Sequence, residues 1–282
     1  MRSSALGPLA ALLLSMLGSG PILAATDAAG AVVYAVGVVP QFDARDTLAI
    51  WRPILDELEQ RAGLRLELHG SPTIPAFEEE FESGKFDLVY LNPYHMLVAS
   101  KSQGYRPLVR DNGRQLQGIL VVHRDSPITE LSGLQGQTVA FPSPNALGAS
   151  LMLRAELLGA RGLDIKTHYV KSHDSVYLNV VTGMAAAGGG VQKTLDQQPA
   201  QVREQLRVLH RTVGVEPHPL AVHPRVPAGV AARLEQALLS LGEDERGRAL
   251  LSRVPIKKIG PARIEDYTPL NSLGLTPYYV KE

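Results

Sequence analysis

Apolar and polar positions follow two alternating periods along the chain, which predicts strands and helices in turn. The unbroken apolar run AVVYAVGVV (31–39) is typical of a buried strand. The next segment, DTLAIWRPILDELEQRAG (46–63), has apolar residues at helical spacing and ends at a glycine, a common helix stop. The order then repeats as a strand at 64–70, a short helix at 74–85, a strand at 86–93 and a helix at 94–104.

This strand–helix order predicts a mostly parallel sheet with helices on both faces. In such sheets, ligands bind beyond the carboxyl ends of the strands. The loops of interest are therefore 40–43, 92–95 and 141–145.

A second unit follows an extended segment, GILVVHRDSPI (118–128). It contains a strand ending near 141, a helix at 146–162, a strand at 165–172 and a helix at 175–190 that ends in a glycine-rich turn. A second extended stretch (205–224) leads to a long helix (226–254) and an irregular tail. Two extended crossings predict an inserted lobe, 120–213, within an outer lobe formed by 26–119 and 214–282.

The N-terminus predicts export. Arg2 precedes an apolar stretch (9–17) and then small residues, the order found in secretory signal peptides. We assign residues 1–25 to a signal peptide, and expect a periplasmic protein whose mature chain does not insert into the membrane. The alternative is a membrane anchor, but Gly18, Gly20 and Pro21 interrupt the apolar run before it could span a bilayer.

Composition excludes several classes of partner and chemistry. The 282 residues include 28 basic and 28 acidic side chains, so no global charge would recruit nucleic acid, and a bound anion must be held locally. The chain has no cysteine, which excludes disulfides, thiolate metal sites and cysteine nucleophiles.

Catalytic motifs are absent from the sequence. There is no GxxxxGK[ST] loop, no GxGxxG after a strand and no HExxH. His168 and His173 are five residues apart, as are His218 and His223, and this spacing does not place two rings on one helix face. We therefore predict a protein that is not an enzyme and has no cofactor or metal. A metal-dependent periplasmic hydrolase built from distant histidines is the alternative.

The corner VAFPSPNALGA (139–149) has the features of an anion site. Pro142 and Pro144 keep the chain extended before a helix, and Asn145 is a candidate cap. The amides that follow carry the positive end of the helix dipole and could bind an oxyanion without a lysine. An ordinary capped helix has the same appearance, and these residues alone favour that interpretation.

An ordered set of segments adds to this picture: VGVVPQFD, DLVYLNPYHMLVA, GILVVHRDSPI, LQGQTVAFPSPNALGASLMLRAEL and VKSHDSVYLNVVTGMAAAGGG. Together, over roughly residues 32–267, they resemble the phosphate/phosphite/phosphonate-binding periplasmic proteins of ABC transporters. The resemblance implies the type II periplasmic-binding-protein fold. This fold has two α/β lobes, each a mostly parallel sheet flanked by helices, joined by a two-strand hinge and closing on a small oxyanion.

The resemblance also implies which residues bind. The helix start contributes Ser143, Asn145, Ala146, Leu147, Gly148 and Ala149. A Ser-His turn contributes His173, and the loop after the third strand contributes Tyr94, with Asn92 beside it. From its place on the first strand-end loop, Gln41 is a candidate for the opposing wall, together with Phe42.

Two departures from the family pattern leave the ligand open. The helix start has few hydroxyl groups, and GMAAAGGG (183–190) has alanine where relatives carry an acidic residue. Phosphate, phosphite, a phosphonate or another oxyanion all remain candidates. The resemblance implies delivery to an ABC permease, and a sensor subunit that docks on a receptor ectodomain is the alternative. We expect a monomer.

Overall fold

The computed structural model describes residues 32–42, 44–254 and 256–281. The chain forms two β-sheets, each flanked by helices. The predicted signal peptide, 1–25, lies outside the described residues. Among the described residues, none of the helices combines the length and apolar character that a bilayer span requires.

The elements alternate along the chain much as the sequence predicts. The strands are β1 (Val33–Val38), β2 (Arg65–His69), β3 (Leu88–Tyr90), β4 (Arg106–Asp111), β5 (Gly118–His123), β6 (Thr138–Phe141), β7 (Lys166–Tyr169), β8 (Ala187–Val191), β9 (Leu206–Arg211), β10 (Leu220–Val222) and β11 (Ile259–Pro261). The helices are α1 (Ala44–Ala62), α2 (Ile74–Glu82), α3 (Pro93–Gln103), α4 (Met152–Arg154), α5 (His173–Val181), α6 (Gln192–Asp196), α7 (Ala200–Arg203), α8 (Ala228–Ser240) and α9 (Glu245–Leu251). Wider π-helical turns flank α4 at Leu147–Leu151 and Ala155–Ala160, and 310 turns cover Leu131–Leu134, Ile264–Asp266, Thr268–Leu273 and Thr276–Tyr278.

The spacing of buried residues along α1 shows why this segment is helical. Trp51, Ile54, Leu55 and Leu58 recur at intervals of three and four and are all nearly inaccessible to solvent. They therefore form one apolar face that packs in the core of the first lobe. The helix ends at Gly63, whose φ of 62° is in the left-handed region that favours glycine.

The strands divide into two sheets. The first has the order β11-β4-β10-β3-β1-β2 and the second β7-β6-β8-β5-β9. Strands between 33 and 111 and between 220 and 261 form the first sheet, and strands between 118 and 211 form the second. This is the two-lobed α/β architecture that the sequence predicts, while the lobe boundaries at 119/120 and 213/214 stay a prediction.

Both sheets are mixed rather than mostly parallel. β1 runs parallel to β2 and β3, and β6 runs parallel to β7 and β8. The strands that follow each crossing between lobes, β5 and β10, are antiparallel to both of their neighbours. The two crossings pair with each other as a short antiparallel bridge, in which Leu116 and Val215 exchange N–H···O bonds of 2.8 and 2.9 Å.

Two sequence predictions of element type are wrong. The glycine-rich segment does not end a helix: α5 stops at Val181, and the glycines lie within β8. The run at 226–254 is two helices rather than one, because Asp244 begins a new helix by accepting a hydrogen bond of 2.7 Å from Gly247 N.

The end of the chain connects the lobes a third time. We call residues 276–281 the C-terminal strap. Tyr279 packs on Tyr94 of α3 in the first lobe, with ring centroids 5.2 Å apart. Val280 exchanges two backbone hydrogen bonds with the side chain of Asn145 in the second lobe, at 2.7 and 2.9 Å. The strap therefore holds the two lobes to each other away from the hinge bridge.

Candidate functional site

A cavity of about 990 Å³ lies between the two lobes. The loops after β1 and β3 line it from the first lobe, and the loops after β6 and β7 line it from the second. Because β1 and β3 are parallel, as are β6 and β7, these loops leave the carboxyl edges of both sheets toward one space. We call this space the cleft.

The start of the helix at 147–160 forms one wall of the cleft. Ala146 occupies the cap position, and no side chain caps the helix, so the prediction that Asn145 caps it is wrong. The first hydrogen bond of the helix runs from Ser150 N to Ala146 O at 2.8 Å. The amides of Leu147, Gly148 and Ala149 precede that bond and lie at the cleft, where they are available to an anion.

Glycines in two strands let this helix start lie directly on the sheet. A side chain on Gly118 would collide with Gly148 O, and one on Gly189 would collide with Ala149 O. The close approach fixes the position of the cleft-facing amides through backbone contacts. Sequence reasoning missed this role, although the GGG run of β8 was the signal that could have revealed it.

Ser143 presents a buried hydroxyl to the cleft. Its side chain is 8% exposed, and its Oγ has no hydrogen-bond partner in the described part of the chain. A buried hydroxyl without a partner costs stability, which makes Ser143 a candidate ligand contact.

His173, the first residue of α5, lines the cleft from the second lobe. Burial lowers the pKa of this imidazole to about 4, although the nearby Asp174 opposes the shift, so the ring is neutral at pH 7. Its Nδ1 lies 3.3 Å from Thr194 Oγ1, and that hydroxyl donates to Val191 O at 2.9 Å. The threonine oxygen also lies 2.7 Å from the Tyr177 hydroxyl. In the arrangement in which Thr194 donates to Val191 O, both Tyr177 O–H and His173 Nδ1–H donate to the threonine oxygen. His173 Nε2 is then an acceptor.

His218, on the stretch that leads into β10, is a second cleft histidine that sequence analysis did not select. It stacks on Tyr90 with centroids 5.4 Å apart, and its Nε2 lies 3.0 Å from Gln41 Nε2. An amide NH2 only donates, so His218 Nε2 accepts. Burial, followed by the positive charge of neighbouring groups, lowers the pKa of His218 to about 3. The signal in the sequence was the pair of prolines that flank this histidine.

Charged groups at the cleft balance. Lys171 and Arg253 line it together with Asp46 and Asp174. Asp174 also accepts a hydrogen bond of 2.6 Å from Gln198 Nε2. Lys171 has a φ of 74°, an uncommon value for a residue with a side chain, at the turn that opens α5. With both histidines neutral, the cleft would hold an anion mainly by amides and hydroxyls. The described residues contain no group of three or more histidine, aspartate or glutamate side chains placed to hold a metal ion.

Most predicted site residues meet at the cleft. It is lined by Gln41, Phe42, Asn92, Ser143, Ala146, Leu147, Gly148, Ala149 and His173. Asn92 also caps α3 by accepting from His95 N at 2.8 Å, and donates to Asn145 O at 3.2 Å.

Tyr94 and Asn145 are placed elsewhere and do not line the cleft. The Tyr94 hydroxyl lies 3.3 Å from Thr276 Oγ1, next to the strap. The Asn145 amide donates to Glu78 Oε2 at 2.9 Å as well as to Val280 O. Both side chains therefore bind the end of the chain.

Two α/β lobes with a cleft between them define a periplasmic substrate-binding protein fold. Residues 36–267 match the family described as "ABC transporter, phosphonate, periplasmic substrate-binding protein". The chain belongs to this family, whose members are binding proteins, as its sequence predicts.

Solved structures share this fold. A binding protein component of an ABC phosphonate transporter from Pseudomonas aeruginosa is 15% identical, with a TM-score of 0.78 over 86% of this chain and 85% of that one. PhnD1 from Prochlorococcus marinus in complex with methylphosphonate is also 15% identical, with a TM-score of 0.78 over 88% of this chain and 99% of that one. A Xanthomonas citri protein bound to ATP is 21% identical, with a TM-score of 0.72 over 87% of this chain and 98% of that one.

Proposed function

We propose that this chain captures a small phosphorus oxyanion in the cleft and delivers it to an ABC permease. Phosphonate, phosphite and phosphate are the candidate ligands. The signal-peptide pattern of residues 1–25 and the periplasmic family support export to the periplasm. Binding would bring the lobes together about the Leu116–Val215 bridge, because a ligand that contacts both lobes favours the closed form.

The observation that carries the proposal is the unpartnered hydroxyl of Ser143 beside the free amides of the helix start. These groups suit an oxyanion, because each of them can donate a hydrogen bond to its oxygens and none of them is negatively charged. The neighbouring cleft histidines are neutral, so they neither repel an anion nor attract one strongly.

His173 supports a ligand that keeps one proton. In the arrangement in which Nδ1–H donates to Thr194, its Nε2 has no hydrogen and can only accept a hydrogen bond. A phosphonate or phosphite monoanion has one P–OH group that could donate to this nitrogen. The imidazole would then take the role for which the segment 183–190 offers no carboxylate.

Isothermal titration of residues 26–282 with methylphosphonate, 2-aminoethylphosphonate, phosphite, phosphate and sulfate tests the proposal. We expect saturable binding of at least one phosphorus oxyanion and no binding of sulfate, which has no proton to donate at neutral pH. Ser143→Ala and His173→Ala should each weaken binding by roughly 1–3 kcal/mol, the loss of a hydrogen bond to a charged ligand.

Two variants serve as matched controls. Ser132→Ala and His168→Ala change exposed residues of the second lobe that lie outside the cleft lining, and should leave the dissociation constant unchanged. If Ser143→Ala and His173→Ala behave like these controls, the cleft is not the oxyanion site. If the protein binds none of the phosphorus oxyanions, the proposed ligand class is wrong.

A further inference from the structure

A second cavity, of about 540 Å³, adjoins the cleft. Four residues line both spaces: Gln41, Leu116, Val191 and His218. The hydrogen bond between Gln41 and His218 therefore lies at the boundary of the two cavities.

This second cavity, which we call the side cavity, carries an excess of positive charge, whereas the charges at the cleft balance. Its lining includes Arg114, Lys193 and Arg211, against one carboxylate, Asp111. Arg114 pairs with Asp111 at 3.1 Å, and Arg211 donates to the neutral amide of Gln192 at 2.7 Å. Among the described residues, Lys193 and Arg211 thus have no acidic partner.

Lys193 is the least committed of these cations. Its ammonium group has no hydrogen-bond or ion-pair partner within the part of the chain that the structure describes. It follows directly on Gln192 at the start of α6, and Val191, which lies between the cavities, precedes both. The turn at 191–193 therefore lies between the cleft, where the charges balance, and the side cavity, which has the excess of positive charge.

We propose that the side cavity is a second anionic subsite, and that the ligand is a phosphonate or phosphate ester with a second anionic group on a short chain. The inference rests on the proposed function, because it places the phosphorus head at Ser143 and His173. The head would be held by hydrogen bonds in the neutral cleft. The second group, a carboxylate or another phosphoryl group, would lie past His218 among Lys193, Arg211 and Arg114.

A ligand series separates this proposal from simple oxyanion binding. Methylphosphonate provides the head alone, and 2-aminoethylphosphonate adds a cationic tail. Phosphonoacetate and 3-phosphonopropionate add a carboxylate at two distances, and ethylenediphosphonate adds a second phosphoryl group. We expect at least one of the three compounds with a second anionic group to bind about tenfold or more tighter than methylphosphonate at low salt, and 2-aminoethylphosphonate to bind no tighter than methylphosphonate.

Charge-removing variants locate the effect. Lys193→Gln and Arg211→Gln should each weaken the best bifunctional ligand about five- to tenfold, yet change methylphosphonate binding less than about twofold. Lys166→Gln is the matched control, since Lys166 is an exposed lysine of β7 that lines neither cavity.

The outcomes separate the two proposals. If methylphosphonate binds in the cleft but no bifunctional ligand binds tighter, the second subsite is refuted and the proposed function stands. The same holds if Lys193→Gln and Arg211→Gln weaken all ligands equally. If no phosphorus compound binds, the proposed function fails and the second subsite falls with it.

Discussion

His173 and His218 show how burial sets the protonation state of a side chain. Both line the cleft and both are less than a tenth exposed. Burial is the first cause of the low pKa of each, about 4 for His173 and about 3 for His218. The folded protein therefore holds both rings neutral, whereas the unfolded chain would let them titrate near their ordinary pKa of about 6.5.

This difference predicts acid sensitivity. Between the two pKa values the unfolded state binds more protons, so the free energy of unfolding falls as pH decreases below about 6.5. From pH 7 to pH 5, each histidine should remove up to about 2 kcal/mol. Urea unfolding of the ligand-free protein at the two pH values measures the loss.

The matched variants isolate the buried rings. His218→Gln should lose up to about 2 kcal/mol less stability than the wild type over this pH range, because one of the two buried cleft histidines no longer titrates. His168→Gln, which changes an exposed histidine, should follow the wild type. Equal pH dependence in all three proteins would show that burial does not hold His218 neutral.

Residue types near the site could be predicted from sequence, but side-chain directions could not. Ser143 and His173 lie where the chain passes from a strand end to a helix start, a local pattern that places them at the cleft. Tyr94 and Asn145 have the same local setting, yet they turn toward the strap, more than a hundred residues further along the chain. No local signal reports contacts at that separation.

At the scale of elements, the position of the helix at 147–160 depends on its close packing against two strands. It lies against β5 and β8 closely enough that its first carbonyl oxygens meet Gly118 and Gly189. Interpreting the glycines from sequence as turn formers misses this case, because they are required by contacts with a helix distant in the sequence. The two-lobed order of elements was predictable since it follows from periodicity, whereas the three-residue strand β11 has too few residues to show a period.

Gly189→Ala should disturb both the fold and the site. The added methyl group would overlap Ala149 O and approach Phe141 Cδ1 to 2.7 Å, so the helix start must move. We expect a loss of about 1–3 kcal/mol in unfolding free energy, typical of overpacking, together with weaker oxyanion binding. Urea unfolding and titration calorimetry measure the two effects.

A glycine with free space supplies the comparison. Gly229 lies in α8, and a methyl group there would meet nothing within 4 Å. Gly229→Ala should therefore stabilise the protein by roughly 0.5–1 kcal/mol and leave ligand binding unchanged. A Gly189→Ala protein as stable as the wild type would contradict the close seating of the helix.

At the scale of the whole molecule, three segments of the chain link the lobes, in addition to direct side-chain contacts such as that of Asn92 with Asn145 O. Two are the chain crossings that meet at Leu116 and Val215, and the third is the C-terminal strap. Asn145 is central to the third, since its amide binds Val280 twice and Glu78 of the first lobe once. The relative position of the lobes is thus set partly by one side chain.

Asn145→Ala should loosen the ligand-free molecule. Loss of three hydrogen bonds at about 0.5–1.5 kcal/mol each predicts a decrease in unfolding free energy of roughly 2–4 kcal/mol. The lobes should also open further, which small-angle X-ray scattering would record as a larger radius of gyration. Asn271→Ala, at an exposed position of a 310 turn, is the control and should change neither quantity. An unchanged radius in Asn145→Ala would mean that the strap does not restrain the lobes.

The strap also bears on the timing of exchange. If the cleft opens only when Val280 and Asn145 separate, the frequency of that separation limits how fast any ligand enters, however concentrated it is. The same limit applies to dissociation, so a bound ligand leaves slowly and is not quickly replaced by competing ligands. A carrier with this property holds its cargo during diffusion and needs a partner that breaks the tie to release it promptly.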